Sequence, residues 1–371
     1  MSDDALDNPI LNTPYDAPDR HFVIGPNGPT GEIKAGRRRS ESFIPVPPPK
    51  KGKAPVEQAA LDFDLTGERR EENSLINDIR REVELWRARG YPDVTAISRK
   101  LLQHWAGTEG VREDRMLFCQ REAAETAIFL AEVAGRRGHT DYRPRIDEQN
   151  RIHNAGLPRV ALKMATGTGK TVVMAMLIAW QTINKVNSPR DARFAKRFLV
   201  VTPGITIRDR LRVLLPSDSG NYYRERDLIP SDLWGALDEA QVVITNYHTF
   251  LLRDAPEIKG VASNTRKLLN AGKAVDPFKE TADDMVTRVL RDFSGRGTKT
   301  GGELVVFNDE AHHCYQDRVL TQGEEDPEAD REDKDRNADA RVWFKGLQAI
   351  ERAVGIKAVF DLSATPFYLK G

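Results

Sequence analysis

Five short, almost unbroken apolar runs constrain this chain more than any other feature: RVALKM, RFLVVTP, QVVITNY, ELVVFND and IKAVFDLSAT, all after Leu157. Each has the length of a strand and is rich in Val, Ile, Leu and Phe without polar alternation, the pattern of strands buried on both faces. Helical patterns separate the runs. Such alternation builds an α/β domain, a parallel sheet flanked by helices, and loops at the C-terminal edge of such a sheet are where ligands are held.

The first run leads into KMATGTGKTVVMAM, residues 163–176. A loop that cradles phosphate needs glycines to bring backbone N–H groups close, a lysine for the β and γ oxygens, and a hydroxyl for Mg²⁺. Thr166, Gly167, Thr168, Gly169, Lys170 and Thr171 supply that set for ATP. The loop follows a strand and opens a helix, whose N-terminus favours negative charge. The common pattern GxxxxGK[ST] would place glycine at position 164, where this chain has Met164.

A nucleotidase also needs a carboxylate for the metal and a group to orient the attacking water. LVVFNDEAHH ends a later run with Asp309 and Glu310. Asp309, with Thr171, is the expected Mg²⁺ holder, and Glu310 the general base or water positioner, so Lys170, Asp309 and Glu310 form the expected catalytic set. His312 reads as a residue coupling the nucleotide to the rest of the domain. Its neighbour His313 reads as packing or solvent-facing, because adjacent histidines point in different directions.

Upstream, residues 1–57 are rich in Pro, Gly and charge and are expected to form a disordered tail. Residues 58–116 are expected to be helical: Leu75, Ile76, Ile79, Val83 and Trp86 recur at helical spacing with Gly90 at the C-terminal cap, and a second helix begins at Thr95. The α/β domain is expected over 117–371, with surface insertions at about 253–302 and 322–340, the second an acidic run read as disordered. Lys and Arg (56) balance Asp and Glu (56), so bulk charge names no partner. Two cysteines provide no disulfide framework, and no apolar run is long enough to span a bilayer, so a cytoplasmic protein without membrane contact is expected.

Taken in order, these motifs resemble the first RecA-like domain of superfamily 2 helicases, specifically the DEAH-type, UvrB-like module of type III restriction enzyme Res subunits. MATGTGKT looks like motif I, with Met164 in a form common to those motors; FLVVTPGITIRDRL looks like motif Ia; DEAH, 309–312, looks like motif II; SAT, 363–365, looks like motif III. The resemblance covers 117–366 and implies a P-loop NTPase fold, ATP and Mg²⁺ as cofactors and DNA as partner. It implies that Gln120 in LFCQREAAETAIFL reads the adenine edge, and that Ser363 and Thr365 couple nucleotide state to motion. It also raises Thr202, Gly204, Thr245 and Asn246, at strand ends, as donors to a phosphodiester backbone, contacts that carry no base information. Arg208 and Arg210 read equally well as a charged helix face.

Nothing after DLSATPFYLKG resembles the second RecA-like lobe or a nuclease. The expectation is therefore a DNA translocase or helicase motor domain that binds ATP and Mg²⁺ with weak or absent turnover alone, its second lobe or nuclease supplied in trans and a methyltransferase subunit as a possible companion. A non-catalytic nucleotide-binding module from a truncated or split gene, and an RNA helicase fragment, are the alternatives.

Overall fold

The computed structural model describes residues 10–25, 28–45, 68–107, 115–136, 138–253, 280–293, 303–314 and 331–364. The chain divides into two units, one comprising Met1–Asp93 and Arg115–Tyr142, the other Val94–Asp114 and Arg143–Gly371. The division differs from the expected boundary at 117, because the helix that carries Gln120 clusters with the first unit.

Elements in chain order are β1 (Arg20–Gly25), β2 (Gly28–Ala35), β3 (Glu41–Pro45), β4 (Glu68–Glu72), α1 (Ser74–Ala88), α2 (Ala96–Ala106) and α3 (Phe118–Ile128), the last running into a π-helical turn at Phe129–Val133. Within the first unit β1 pairs with β2, and β3 with β4, both antiparallel. These hairpins correct the expectation of a wholly disordered tail. Gly28 supplies a positive φ of 113° at the first turn, and Arg37 forms an ion pair with Glu122 on α3, so the segment is tied down by backbone pairing and charge rather than by a core of its own. Helix α1 buries Ile79, Val83 and Trp86, and Gly90 follows its C-terminal cap at φ 77°. The carboxylate of Glu125, 2% exposed, accepts two bonds from Arg87 (2.8 and 2.6 Å) and one from the Tyr91 hydroxyl (2.8 Å).

The second unit continues with α4 (Arg143–His153), β5 (Arg159–Lys163), α5 (Lys170–Asn187), β6 (Arg197–Thr202), α6 (Ile205–Arg210), the single turns α7 (Tyr222–Glu225) and α8 (Trp234–Leu237), β7 (Gln241–Asn246), α9 (Ala282–Val289), β8 (Leu304–Asp309), α10 (Arg331–Val354) and β9 (Ile356–Ser363). The five apolar runs form one sheet in the order β5-β9-β8-β6-β7. Every pairing is parallel. The expected α/β sheet flanked by helices is what the chain forms. Register fixes the C-terminal edge: Lys163 lies opposite Ser363, Asp309 opposite Leu362, and Thr202 opposite Asn246.

Helix α5 is buried on every side from Val172 to Lys185, as expected of a helix whose sequence is apolar all round. Helix α2 packs on it, and Trp180 and Asn184 both donate to the Ser98 hydroxyl at 3.0 Å. Thr95 caps α2 by accepting the Ser98 N–H at 3.0 Å. Inside the sheet Phe307 lies between Phe198 and Phe360, at ring-centre distances of 6.2 and 5.6 Å.

Two expectations about insertions meet the structure in part. Within 253–302, expected as a surface insertion, α9 occupies Ala282–Val289. The acidic stretch expected to be disordered is helical from Arg331 onward. The rest of that run, up to residue 330, lies outside the described residues. Among the described residues no helix is long and apolar enough to cross a membrane.

Candidate functional site at the C-terminal edge of the sheet

The loop between β5 and α5 turns on two glycines in the left-handed region, Gly167 at φ 80° and Gly169 at φ 82°. At Gly167 an added Cβ would meet nothing within 4 Å, so what the position demands is conformation rather than space. Thr166 and Gly167 are exposed, and the Thr168 hydroxyl donates to the Ala165 carbonyl at 2.6 Å, which fixes the curl of the loop. Lys170 and Thr171 open α5 directly after it. Met164, the residue standing where glycine was expected, is 4% exposed and donates its N–H to the Ser363 carbonyl at 3.0 Å. A buried side chain and a backbone bond to β9 explain why a large apolar residue is accommodated there.

At the end of β8 the chain turns sharply. Glu310 sits at φ 49°, a region in which a residue with a Cβ is strained by roughly 1–2 kcal/mol. That turn aims its carboxylate at the loop, and Glu310 Oε1 lies 3.1 Å from Lys170 Nζ. Asp309 is 7% exposed, and its carboxyl is pushed up to about 6, first by burial and next by the negative charge of Glu310; the positive charges of Lys170 and Arg210 oppose the shift. Arg210, which the sequence left as an ordinary charged face, therefore acts on the site through its charge.

After Glu310 the turn Ala311–Cys314 presents His312, whose Nδ1 lies 3.0 Å from Ser363 Oγ and 3.6 Å from Glu310 Oε2. Ser363 thus holds both loops, accepting from Met164 through its carbonyl and meeting His312 through its hydroxyl. The hydroxyl of Ser363, expected as a coupling residue, meets His312 rather than either carboxylate. Thr365 lies outside the described residues.

The site brings together residues from three adjacent strands, β5, β9 and β8, and the remaining expected residues are elsewhere. Thr202 is fully buried and donates its hydroxyl to the Gly204 carbonyl at 2.9 Å. The Thr245 hydroxyl pairs with that of Thr249 at 2.8 Å, and Thr249 is also bonded to the Asn246 carbonyl at 2.7 Å. These hydroxyls shape the two turns at the ends of β6 and β7, and Asn246 Oδ1 is buried there with no protein partner. Gln120, 8% exposed on α3 in the first unit, accepts the Leu117 N–H at 3.2 Å through Oε1, a cap of its own helix.

No cluster of three or more His, Cys, Asp or Glu that could hold a metal occurs among the described residues. A buried carboxylate at the end of β8 and a threonine hydroxyl at the start of α5 are nonetheless the types of donor Mg²⁺ uses when substrate phosphates and water complete its shell. A carboxyl held up near 6 by burial and a like charge is also one that a cation at that point would favour in its ionised form.

The family model for "Type III restriction enzyme, res subunit" matches residues 116–368, which takes in every strand of the sheet and every residue of the site. The chain belongs to that family. The matched region is a helicase superfamily 2 N-terminal domain, a helicase-like nucleotide-binding motor domain. No curated protein and no solved structure matches the chain.

Proposed function

We propose that this Res-family domain binds ATP with Mg²⁺ at the edge formed by β5, β9 and β8, and uses the nucleotide to drive contact with, and movement along, a DNA backbone. The observation that carries the reading is the Lys170–Glu310 pair at 3.1 Å, because it joins the phosphate-type loop to the acidic turn across the end of β9.

In this reading Gly167, Thr168 and Gly169 offer backbone N–H groups to the phosphates, with Thr166 at the mouth of the loop, and the ammonium of Lys170 meets the β and γ oxygens. Mg²⁺, when bound, supplies charge neutralisation of the phosphates and would be held by Thr171 and Asp309. Lys170 neutralises Glu310 until a phosphate takes its ammonium. The released carboxylate is then placed to orient or deprotonate the attacking water. His312 and Ser363 report the state of that turn to β9, a role in which Thr365 joins them. Gln120 is the adenine-reading candidate, and Gly204 and Asn246, on turns shaped by Thr202 and Thr245, are the backbone-contact candidates.

Calorimetric titration with ATP in excess Mg²⁺ tests the first half: the protein should bind, and Lys170→Ala should weaken binding at least tenfold. Equal affinity for the two proteins would sink the assignment. For the second half, binding of duplex DNA should weaken linearly in log–log with salt, as expected when phosphate contacts release counterions. Binding restricted to single-stranded RNA would instead identify an RNA motor.

A further inference from the structure

Beneath the site lies a chain of buried polar side chains that the proposed chemistry does not touch. Arg159 on β5 donates through Nε to Asp361 Oδ2 on β9 at 2.8 Å, and through Nη2 to Cys314 Sγ at 2.9 Å. The other oxygen of Asp361 accepts from Asn308 Nδ2 on β8 at 2.7 Å, and Asn308 Oδ1 accepts from Trp343 Nε1 on α10 at 3.1 Å. None of the five is more than 5% exposed.

Stability alone does not account for this arrangement. A buried ion pair is commonly no more stabilising than well-packed apolar residues of the same volume, and the surrounding strand positions are apolar. What directional bonds of this kind supply is position. Asn308 and Asp361 face one another in the β8–β9 register, one residue before Asp309 and two before Ser363 respectively. Cys314 closes the turn that presents His312. The ring of Trp343 is stacked on that of Tyr247, 5.4 Å away with 3° between the planes, and Tyr247 directly follows Asn246. Asn308, Asp361 and Cys314 therefore each stand one or two residues from Asp309, Ser363 or His312.

We infer that Arg159, Asp361, Asn308 and Trp343 are positioning residues that hold the ends of β8 and β9, and the turn between them and His312, in the one alignment that distinguishes a nucleotide triphosphate from a diphosphate. The inference rests on the nucleotide reading above. Its logic is geometric: in that reading the loop of β5 meets both nucleotides alike, whereas the third phosphate is the group that would compete for the Lys170 ammonium with Glu310, 3.1 Å away, whose turn His312 ties to Ser363. Loosening the alignment should blunt recognition of that phosphate and spare the rest.

Two variants separate position from mere folding. Trp343→Phe keeps the stacking on Tyr247 and removes only the N–H donor. The double variant Arg159→Met with Asp361→Leu removes both charges together, so that no buried charge is left alone. Dissociation constants for ATP and for ADP, each with Mg²⁺, are measured by calorimetry on the full chain well below each protein's melting temperature, with Lys170→Ala alongside. The expected result is ADP affinity within about twofold of wild type and ATP affinity at least fivefold weaker in both variants. An unchanged ATP-to-ADP ratio, whether both affinities hold or both fall in parallel, overturns the inference while Lys170→Ala still weakens ATP binding at least tenfold. Loss of effect in Lys170→Ala itself, or no nucleotide binding by wild type, overturns the underlying reading and this inference with it.

Discussion

Replacing Asp309 by asparagine should make the metal-free protein more stable, not less. The Asp309 carboxyl stands at about 6 rather than 3.8 because burial and Glu310 disfavour its ionised form, and the group is only 7% exposed. A raised carboxyl pKa means that the folded protein binds more protons than the unfolded chain between those two values, so stability falls as pH rises through that window. At about 1.36 kcal/mol per unit, the ionised carboxylate costs on the order of 3 kcal/mol above pH 7. Asparagine keeps the shape and removes the charge. Thermal unfolding in EDTA should therefore show Asp309→Asn ahead of wild type by several degrees at pH 8, while by pH 4.5 the difference shrinks to about 1 kcal/mol as the wild-type carboxyl protonates. The same substitution should abolish the Mg²⁺ dependence of nucleotide binding. Equal or lower stability of Asp309→Asn at pH 8, or a gain that is the same at both pH values, would refute the reasoning, because either result means that the buried charge is not strained.

Other substitutions probe the scaffold. At Gly346 on α10 an added Cβ would lie 2.3 to 2.7 Å from atoms of the Phe250 side chain, so Gly346→Ala should destabilise by about 1–3 kcal/mol, read by urea unfolding, with Phe250→Leu restoring part of the loss. Thr95→Ala removes the cap of α2 and should cost about 1 kcal/mol in the same assay. Arg87→Met leaves Glu125 buried without its cation and should cost about 3–5 kcal/mol, whereas Arg87→Met with Glu125→Leu should recover most of it.

The five strands were readable because each is buried on both faces, which leaves an unbroken apolar signature. Their order was not, since nothing in RVALKM or IKAVFDLSAT specifies a neighbour, and the placement of β9 between β5 and β8 is what lets Ser363 meet both loops. Lys170, Asp309 and Glu310 could be named from short motifs because their chemistry demands those residue types at fixed offsets. Arg159, Asn308 and Asp361 could not, because a polar residue within an apolar run says that it has a partner without saying which one. The antiparallel pairs β1–β2 and β3–β4 escaped detection for a different reason: they rest on backbone pairing, with Arg37 between them meeting Glu122, 85 residues away, and local composition carries no trace of either. The helical start of α10 was missed because a charged run with few apolar residues reads locally as a segment that cannot order itself.

The close seat of Phe250 against Gly346 has a mechanical consequence. The ring occupies the space that a side chain on α10 would fill, so the turn Tyr247–Phe250 cannot slide along that helix; it can only travel with it. Trp343 lies one turn earlier on the same helix, with its indole bonded to Asn308 beside Asp309. The end of β7 and the acidic turn are therefore joined through a single helix, by a packed ring at one point and an indole hydrogen bond at the other.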